Sequence, residues 1–399
     1  MREDTGVIKQ GTSLDGKKVI LALSGGIAAT ESIKLARELR RHGAIVFPIM
    51  TKSAEKVISP LALSWGSQAE VISEWTPEMS QLGGFDGLIL APATRNTIAK
   101  FIHGLLDSPL MMALSAAAGR GIPMLFVPSM HNDLFDDAVT TELIESLASH
   151  DVKSLVDSPN EGRRKQPSPV SIVAEFCNLL NSRLDSRKKI AVTLGGNSAP
   201  IDSIRDIVNT SSGNTGWRIS EHLHRMGHDV ICIVGKTTSQ PSFSLPDVRI
   251  DESHEGMLLN SVEVAQSRNK PDFWIHAAAV LDYAPEFNLG KTPSNIGQWK
   301  IDLFPTKKHL AELDKYVSKS KRIAFKLEVD NDKDALIEKS KILISKHNLE
   351  AVVANLLEEA NAESTTSTRC RIVYSDGNVV EISDLRGLCE TIEGIIASN

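Results

Sequence analysis

The sequence predicts an α/β protein built from two doubly wound domains. Two segments, residues 17–41 and 188–225, begin alike, with a basic dipeptide, a short apolar strand, a glycine-rich turn and an amphipathic helix. Such short, continuous apolar runs are typical of strands buried on both faces of a parallel sheet. A length of 399 residues also predicts two or three domains rather than one.

In the first domain, strand and helix patterns alternate until a polar segment interrupts them. Apolar runs predict strands over 45–50, 87–91 and 123–127. Apolar periodicity predicts helices over 93–103, 109–118 and 170–183. Residues 154–169 are rich in proline, serine and charge, which is typical of a surface flap or linker. We therefore place the boundary near residue 185, between domains of residues 1–185 and 186–399.

In the second domain, six apolar runs predict strands with helices between most of them. They cover 190–194, 229–234, 273–277, 322–327, 351–354 and 371–375. Alternating strands and helices indicate a mainly parallel sheet, whose ligands bind beyond the carboxyl ends of the strands.

Composition excludes several classes of protein. With 41% hydrophobic and 24% charged residues, the chain is an ordinary globular sequence. A formal charge of -6 without a long basic run argues against nucleic acid as a partner. Because no apolar stretch approaches about 18 residues and no signal peptide opens the chain, we expect no membrane segment and a cytoplasmic location.

The first glycine-rich turn is a candidate phosphate site. Ser24, Gly25, Gly26 and Ile27 lead directly from a strand into a helix. Two glycines let the backbone approach an anion, and a helix N-terminus favours negative charge. The spacing is not GxGxxG, so the turn alone is a weak signal.

Two further hydroxyl-rich loops follow strands that are predicted to end at the same edge of the sheet. Together with the first turn, these loops favour a nucleotide-binding site at this edge of the sheet. The simpler alternative is that their hydroxyls only cap the following helices. The candidate residues are Thr51, Ser53, Ala91, Pro92, Ala93, Thr94 and Asn96.

These loops, together with Ser108 and residues 127–132, resemble the homo-oligomeric flavin-containing cysteine decarboxylases. More specifically, they are similar to the phosphopantothenoylcysteine decarboxylase half of bifunctional coenzyme A biosynthesis enzymes, in an archaeal-like variant. The resemblance covers about 170 residues. It implies a Rossmann-like flavoprotein domain in which the loops hold FMN and the segment around Met130 clamps the substrate carboxylate.

The chain departs from that family pattern at three places. Where the family usually has a catalytic His, counting back from Asp86 reaches Glu78. The usual Pro-Ala-Met-Asn reads Pro-Ser-Met-His, so His131 takes either the clamp role or a proton-transfer role. The flap over residues 157–170 lacks the Cys found in many bacterial members.

The second glycine-rich segment, residues 193–213, carries more chemistry. Arg205 can bind a phosphate with two hydrogen bonds, and Asn209 can donate to a carbonyl or acyl phosphate. Residues 211–213 precede a helix whose N-terminus favours anions. A polar loop with an N-cap serine is the simpler alternative.

Residues 188–395 closely resemble phosphopantothenate–cysteine ligase, the other half of the same enzymes. The resemblance implies a second Rossmann-like domain that uses CTP and Mg²⁺ to couple L-cysteine to 4'-phosphopantothenate through an acyl cytidylate. Catalytic roles fall on Asn209, Lys291 and Arg205, and Asp282 contacts the nucleotide or its metal. Further nucleotide-binding candidates are Ala278, Phe325, Lys307, Lys308 and Lys341.

The ligase half also departs from its family. Ala199 replaces a usual Glu, and residues 304–308 differ from the common Asn-Pro-Asp-Ile. The nucleotide that the ligase uses can therefore be CTP or ATP. We expect a bifunctional enzyme in a homo-oligomer, a dodecamer built from trimers. The alternatives are a ligase with a degenerate flavin domain as scaffold, and a non-catalytic flavin-binding regulatory subunit.

Overall fold

The computed structural model describes residues 6–75, 84–157, 163–164, 166–295, 297–329, 332–360 and 368–398. They form two compact units. The first contains the described residues up to 183 together with 225–227, and the second contains 184–224 and those from 228 onward. None of the described helices is long and apolar enough to cross a membrane.

The described residues of the first unit form seven strands, five of which make a parallel sheet between helices. Its strands are β1 (Lys18–Leu23), β2 (Ile45–Met50), β3 (Gly87–Ala93), β4 (Met124–Pro128), β5 (Met130–His131), β6 (Val152–Ser154) and β7 (Arg163–Arg164). Its helices are α1 (Ser32–Arg41), α2 (Lys52–Glu55), α3 (Pro60–Ser67), α4 (Arg95–Ile102), α5 (Pro109–Gly119), α6 (Asn132–Phe135), α7 (Ala138–Ser149) and α8 (Pro169–Asn181), with a 3-10 helix at Ile27–Glu31. The sheet order is β2-β1-β3-β4-β6, and β5 pairs separately with β7.

Two apolar layers cover the first sheet. Buried side chains of α1, α3 and α8 pack on one face, and those of α4, α5 and α7 pack on the other. The doubly wound fold predicted for this unit is therefore confirmed. Because β1 starts both halves of the strand order, its carboxyl end and that of β3 flank the switch point where ligands of such sheets bind.

The sequence analysis did not predict α3, α7 or β6 in this unit, and it also ended β3 too early. The strand continues to Ala93 through a register shift, so α4 begins at Arg95 rather than at residue 93. Hydrogen bonds from Ser24 hold this segment extended, a tertiary effect that local periodicity cannot show. The predicted flap also contains β7, which pairs with β5.

The second unit has an eight-stranded mixed sheet. Its strands are β8 (Lys189–Leu194), β9 (Ser198–Pro200), β10 (Asp206–Val208), β11 (Asp229–Val234), β12 (Asp247–Ile250), β13 (Phe273–His276), β14 (Tyr283–Pro285), β15 (Leu303–Pro305), β16 (Lys321–Glu328), β17 (Ala351–Leu356), β18 (Cys370–Tyr374) and β19 (Val379–Ile382). Its helices are α9 (Asn214–Arg225), α10 (His254–Gln266), α11 (His309–Leu313), α12 (Lys333–His347), α13 (Leu357–Ala360) and α14 (Leu385–Ala397).

The main sheet of this unit has the order β12-β11-β8-β13-β16-β17-β18-β19. It is parallel from β12 to β17, and β18 and β19 are antiparallel. All six predicted strands are present. The sequence analysis did not predict β12 and β19, the two edge strands, because their residues are only partly buried and form no continuous apolar run. The switch point lies between β8 and β13.

Candidate active sites

Ser24 joins the two loops at the switch point of the first unit. Its hydroxyl donates to the carbonyl of Pro92 at 2.7 Å and accepts from the N–H of Thr94 at 2.8 Å. The side chain is almost fully buried. With its hydroxyl bonded to both Pro92 and Thr94, Ser24 positions the backbone of the site.

Gly25 allows the loop after β1 to approach the turn after β2. A Cβ at Gly25 would lie 2.4 Å from the Cβ of Ser53 and 2.7 Å from its carbonyl carbon. Thr51 holds that turn by capping α2, accepting the N–H of Ala54 at 3.2 Å. No side chain larger than hydrogen fits at Gly25, and the two predicted loops are in contact.

A cavity of about 580 Å³ opens beside these loops. Five predicted residues line it, namely Ile27, Thr94, Asn96, Met130 and His131. Six lining residues were not predicted, namely Ala28, Glu31, Arg95, Ser129, Leu134 and Gln166. The other predicted residues are not among the lining residues: Ser24, Gly25, Gly26, Thr51, Ser53, Ala91, Pro92, Ala93 and Ser108. They shape the loops, as Ser108 does by capping α5 through the N–H of Met111.

His131 is placed at the cavity by the β5–β7 pairing. His131 is opposite Arg163 in this short antiparallel ladder, and the side chain of His131 is exposed. Glu78, where the family usually has its His, lies outside the described residues. His131 is thus the one imidazole among the residues that line this cavity.

In the second unit, Asn209 belongs to a backbone network at the switch point. Its side-chain N–H donates to the carbonyl of Ala279 at 3.2 Å, and its backbone N–H donates to Asn197 at 3.1 Å. A Cβ at Gly196 would lie 2.4 Å from the carbonyl oxygen of Asn209. The glycine-rich turn, Asn209 and the alanine-rich end of β13 are therefore packed together.

A second cavity, of about 550 Å³, lies at this edge of the sheet. Its lining includes the predicted Ala278 and Phe325 and the turn over residues 210–216 that leads into α9. The remaining lining residues are Ala277, Ala279, Leu327, Asn355, Leu357, Arg369 and Leu388. Arg369 was not predicted, because its sequence context does not distinguish it from Arg371 two residues later.

The structure separates these two arginines. Arg371 is buried, and its guanidinium donates to both carboxylate oxygens of Glu359 at 2.7 and 2.9 Å. Arg369 has no ion pair with a described residue, and its guanidinium donates a hydrogen bond to the Thr215 hydroxyl at 3.4 Å. Arg371 is therefore structural, and Arg369 brings a positive charge to the cavity.

Arg205 is held by neighbours rather than directed at the second cavity. Its guanidinium pairs with Asp202 and donates to the carbonyl of Thr292, and it lies 5.0 Å over the ring of Trp299. Burial would raise the pKa of Asp202, but N–H donors, first that of Thr292, and the Arg205 guanidinium hold it well below its usual range. Arg205 thus fixes the loop that carries the exposed Lys291.

The remaining predicted residues of the second unit are outside the lining of its cavity. Asp282, just before β14, forms an ion pair with Lys308, which follows the antiparallel partner strand β15. The backbone carbonyl of Lys307 accepts from His254, and Lys341 pairs with Glu338 on α12 at 2.7 Å. Within the described part of the chain, no group of three His, Cys, Asp or Glu could hold a metal ion.

Two histidines of the second unit, the half-buried His276 of β13 and the buried His309 of α11, are expected to make this unit acid-sensitive. Burial lowers the pKa of His276 to about 3 and that of His309 to about 4. Between pH 6.5 and 4 the unfolded chain binds protons that the folded protein excludes, so stability falls as pH falls. Each histidine is expected to add about 1.4 kcal/mol of loss per pH unit in this window. Urea unfolding should show a shallower pH slope for His309→Gln than for wild type, and equal slopes would contradict this assignment.

Together, the doubly wound fold and a ligand-sized cavity at the switch point of each unit define a two-site α/β enzyme. A Flavoprotein family model matches residues 7–181, and the model of the DNA/pantothenate metabolism flavoprotein C-terminal domain matches residues 186–387. The chain belongs to the family of bifunctional proteins of coenzyme A biosynthesis. It is an enzyme with a flavin-dependent decarboxylase domain followed by a ligase domain.

Relatives from archaea match most of the chain. The coenzyme A biosynthesis bifunctional protein CoaBC of Thermococcus kodakarensis is 32% identical over 88% of this chain and 88% of its own. That of Methanocaldococcus jannaschii is 30% identical over 87% of this chain and 85% of its own. A crystal structure of the DNA/pantothenate metabolism flavoprotein from Streptococcus pneumoniae is 24% identical, with a TM-score of 0.47, and covers 53% of this chain and all of its own.

Proposed function

We propose that the second unit couples L-cysteine to 4'-phosphopantothenate with CTP, and that the first unit decarboxylates the product to 4'-phosphopantetheine with FMN. The proposal rests on one observation above the others. The side-chain amide of Asn209 donates to the carbonyl of Ala279, and Ala279 lines the second cavity together with the α9 turn and Phe325, in a chain whose relatives are bifunctional. We assign the two activities to residues 186–399 and 1–185.

The ligase reaction needs an activated carboxylate. The carboxylate of 4'-phosphopantothenate attacks the α-phosphate of CTP, pyrophosphate leaves, and the cysteine amine then displaces CMP to form the amide. In this scheme Asn209 donates to the acyl cytidylate, Lys291 neutralises charge on the α-phosphate, and Phe325 packs on the base. The described residues contain no cluster of protein ligands that could hold Mg²⁺ by itself. Asp282 would therefore bind the ion together with the phosphates of the nucleotide. Arg205 orients the Lys291 loop through Asp202.

The first cavity suits a flavin. Its volume of about 580 Å³ is in the range of cofactor pockets. Its lining includes the apolar side chains of Ile27, Ala28, Met130 and Leu134, and Gln166 contributes amide atoms that are buried without a partner among the described residues. The loops around Gly25 and Thr94 would hold the cofactor, with Ile27 and Met130 against it. A bound FMN would supply the two-electron oxidation of the cysteinyl thiol and the matching reduction after loss of CO2. His131 would bind the substrate carboxylate or move a proton.

The two reactions can be followed separately. Purified protein is incubated with 4'-phosphopantothenate, cysteine, Mg²⁺ and either CTP or ATP, while pyrophosphate and CO2 are measured. We expect a yellow protein that releases both products, with CTP as the better nucleotide. Pyrophosphate without CO2 would support a ligase with a flavin scaffold, and neither product would support a regulatory subunit. The cytoplasmic location and the trimer-based dodecamer stay predictions, and light scattering tests the dodecamer.

Arg369→Ala is expected to raise the KM for CTP about tenfold to 100-fold with little change in kcat. The guanidinium lines the ligase cavity without a carboxylate partner among the described residues, so it is available to a phosphate. Charge-assisted hydrogen bonds of this kind contribute about 1.5 to 3 kcal/mol. Arg268→Ala, an exposed arginine of the same unit, is the control. A KM equal to that of the control would remove Arg369 from the nucleotide site.

A further inference from the structure

The side-chain amide of Gln166 is buried at the first cavity and has no hydrogen-bond partner among the described residues. Both its Nε2 and its Oε1 are shielded from solvent, and neither forms a hydrogen bond in the part of the chain that the structure describes. The residue lines the cavity together with Met130 and His131, two positions after β7, which pairs with the β5 strand that carries them.

Such an amide is costly to leave unpaired. An unsatisfied buried donor or acceptor costs on the order of 1 to 3 kcal/mol, so native proteins satisfy nearly all of them. The free energy lost in burying Gln166 is recovered only when a partner enters the cavity. Because the amide offers one acceptor and two donors, that partner must present a hydrogen-bond donor and an acceptor to it.

Four other charged or polar residues at the cavity, Glu31, Thr94, Arg95 and Asn96, are already engaged or face solvent. Glu31 pairs with Lys34 at 3.0 Å, and Arg95 pairs with Asp137 at 2.7 Å. The hydroxyl of Thr94 bonds to that of Thr97, and Asn96 is exposed. Gln166 therefore differs from them in being both shielded from water and unsatisfied.

We propose that Gln166 is a positioning residue that binds an amide-like edge of the ligand in this cavity. The inference rests on the proposed decarboxylase function. Two sources supply that chemistry: the imide edge of the flavin ring, and the amide groups of the pantothenoylcysteine chain. In either case Gln166 orients the ligand through hydrogen bonds and takes no part in bond breaking.

The test compares Gln166→Leu and Gln166→Glu with wild type and with the exposed control Gln10→Leu. FMN affinity is measured by fluorescence titration of flavin-free protein, KM and kcat with phosphopantothenoylcysteine, and stability by thermal unfolding of the flavin-free form. Gln166→Leu should unfold at the same or a higher temperature than wild type, because it removes an unsatisfied group. It should nevertheless bind its ligand about tenfold more weakly, as expected for one or two lost hydrogen bonds. Gln166→Glu keeps only the acceptor and should weaken binding by a comparable or smaller factor.

The two ligand sources give different results. A raised Kd for FMN assigns the contact to the flavin, whereas an unchanged Kd with a raised KM assigns it to the substrate. Affinity and KM within twofold of wild type in both variants would overturn the inference, as would a loss of stability that matches the loss of binding. If the wild type binds FMN but releases no CO2, the proposed decarboxylase function fails, while the FMN titrations still decide whether Gln166 contacts the flavin.

Discussion

Asn209→Asp is expected to lower ligase turnover at least about 100-fold in a protein that stays folded, the loss typical of removing a donor to a developing anion. The amide donates to the carbonyl of Ala279 at 3.2 Å, beside the turn that lines the cavity. A carboxylate has no N–H to donate, so a carboxylate oxygen would lie against the carbonyl oxygen of Ala279 and the two acceptors would repel each other. It would also place negative charge next to the phosphate of the acyl cytidylate.

The measurement separates the two half-reactions. Pyrophosphate release reports activation of the carboxylate, and formation of phosphopantothenoylcysteine reports transfer to the amine. We expect the second to fall more than the first, with acyl cytidylate accumulating on the enzyme. Asn269→Asp adds the same charge at an exposed position of the same unit and should behave as wild type. Equal turnover in the two variants would exclude Asn209 from the reaction.

His131→Ala should lower decarboxylation at least tenfold, consistent with typical general acid–base contributions. His131 is the imidazole at the first cavity, and the short β5–β7 ladder holds its backbone in place. Neither role assigned to His131, binding of the substrate carboxylate or transfer of a proton, can be taken over by a methyl group. The rate is measured as CO2 released from phosphopantothenoylcysteine, with flavin content determined by absorbance.

His131→Asn distinguishes the two roles. Asn can donate a hydrogen bond to a carboxylate but cannot titrate near neutral pH, so a clamp role predicts recovery of most of the activity and a proton-transfer role predicts none. His103→Ala, at an exposed site after α4, is the control. Decarboxylation at the wild-type rate in His131→Ala would leave catalysis to residues outside this cavity lining.

The buried strands were predictable because they share one local signal. After a charged first residue, the runs of β1 and β11 are wholly apolar and that of β8 is apolar except for Thr193, since both faces of each strand are covered by helices. The edge strands β12 and β19 have exposed residues and lack that signal. The end of β3 was predicted short, because its last residues are held extended by Ser24, which lies far away in sequence.

Which motif residues face a cavity was not predictable to the same degree. Ser24 and Arg205 have the residue types expected of ligand contacts, yet the structure engages the first with the β3 loop and the second with Asp202. Gln166 and Arg369 line the two cavities although nothing in their neighbouring sequence marks them. Each of these assignments depends on partners distant in sequence.

The sequence by itself determined the two α/β domains, their order and the loops that carry chemistry. Burial of an apolar run and the turn after it depend on residues that are close along the chain, so they can be read locally. Only the tertiary structure decided which polar groups are satisfied by the protein and which are left for a ligand. The hydroxyl of Ser24 is bonded within the fold, whereas the amide of Gln166 has no partner among the described residues, and no local sequence pattern specifies either outcome.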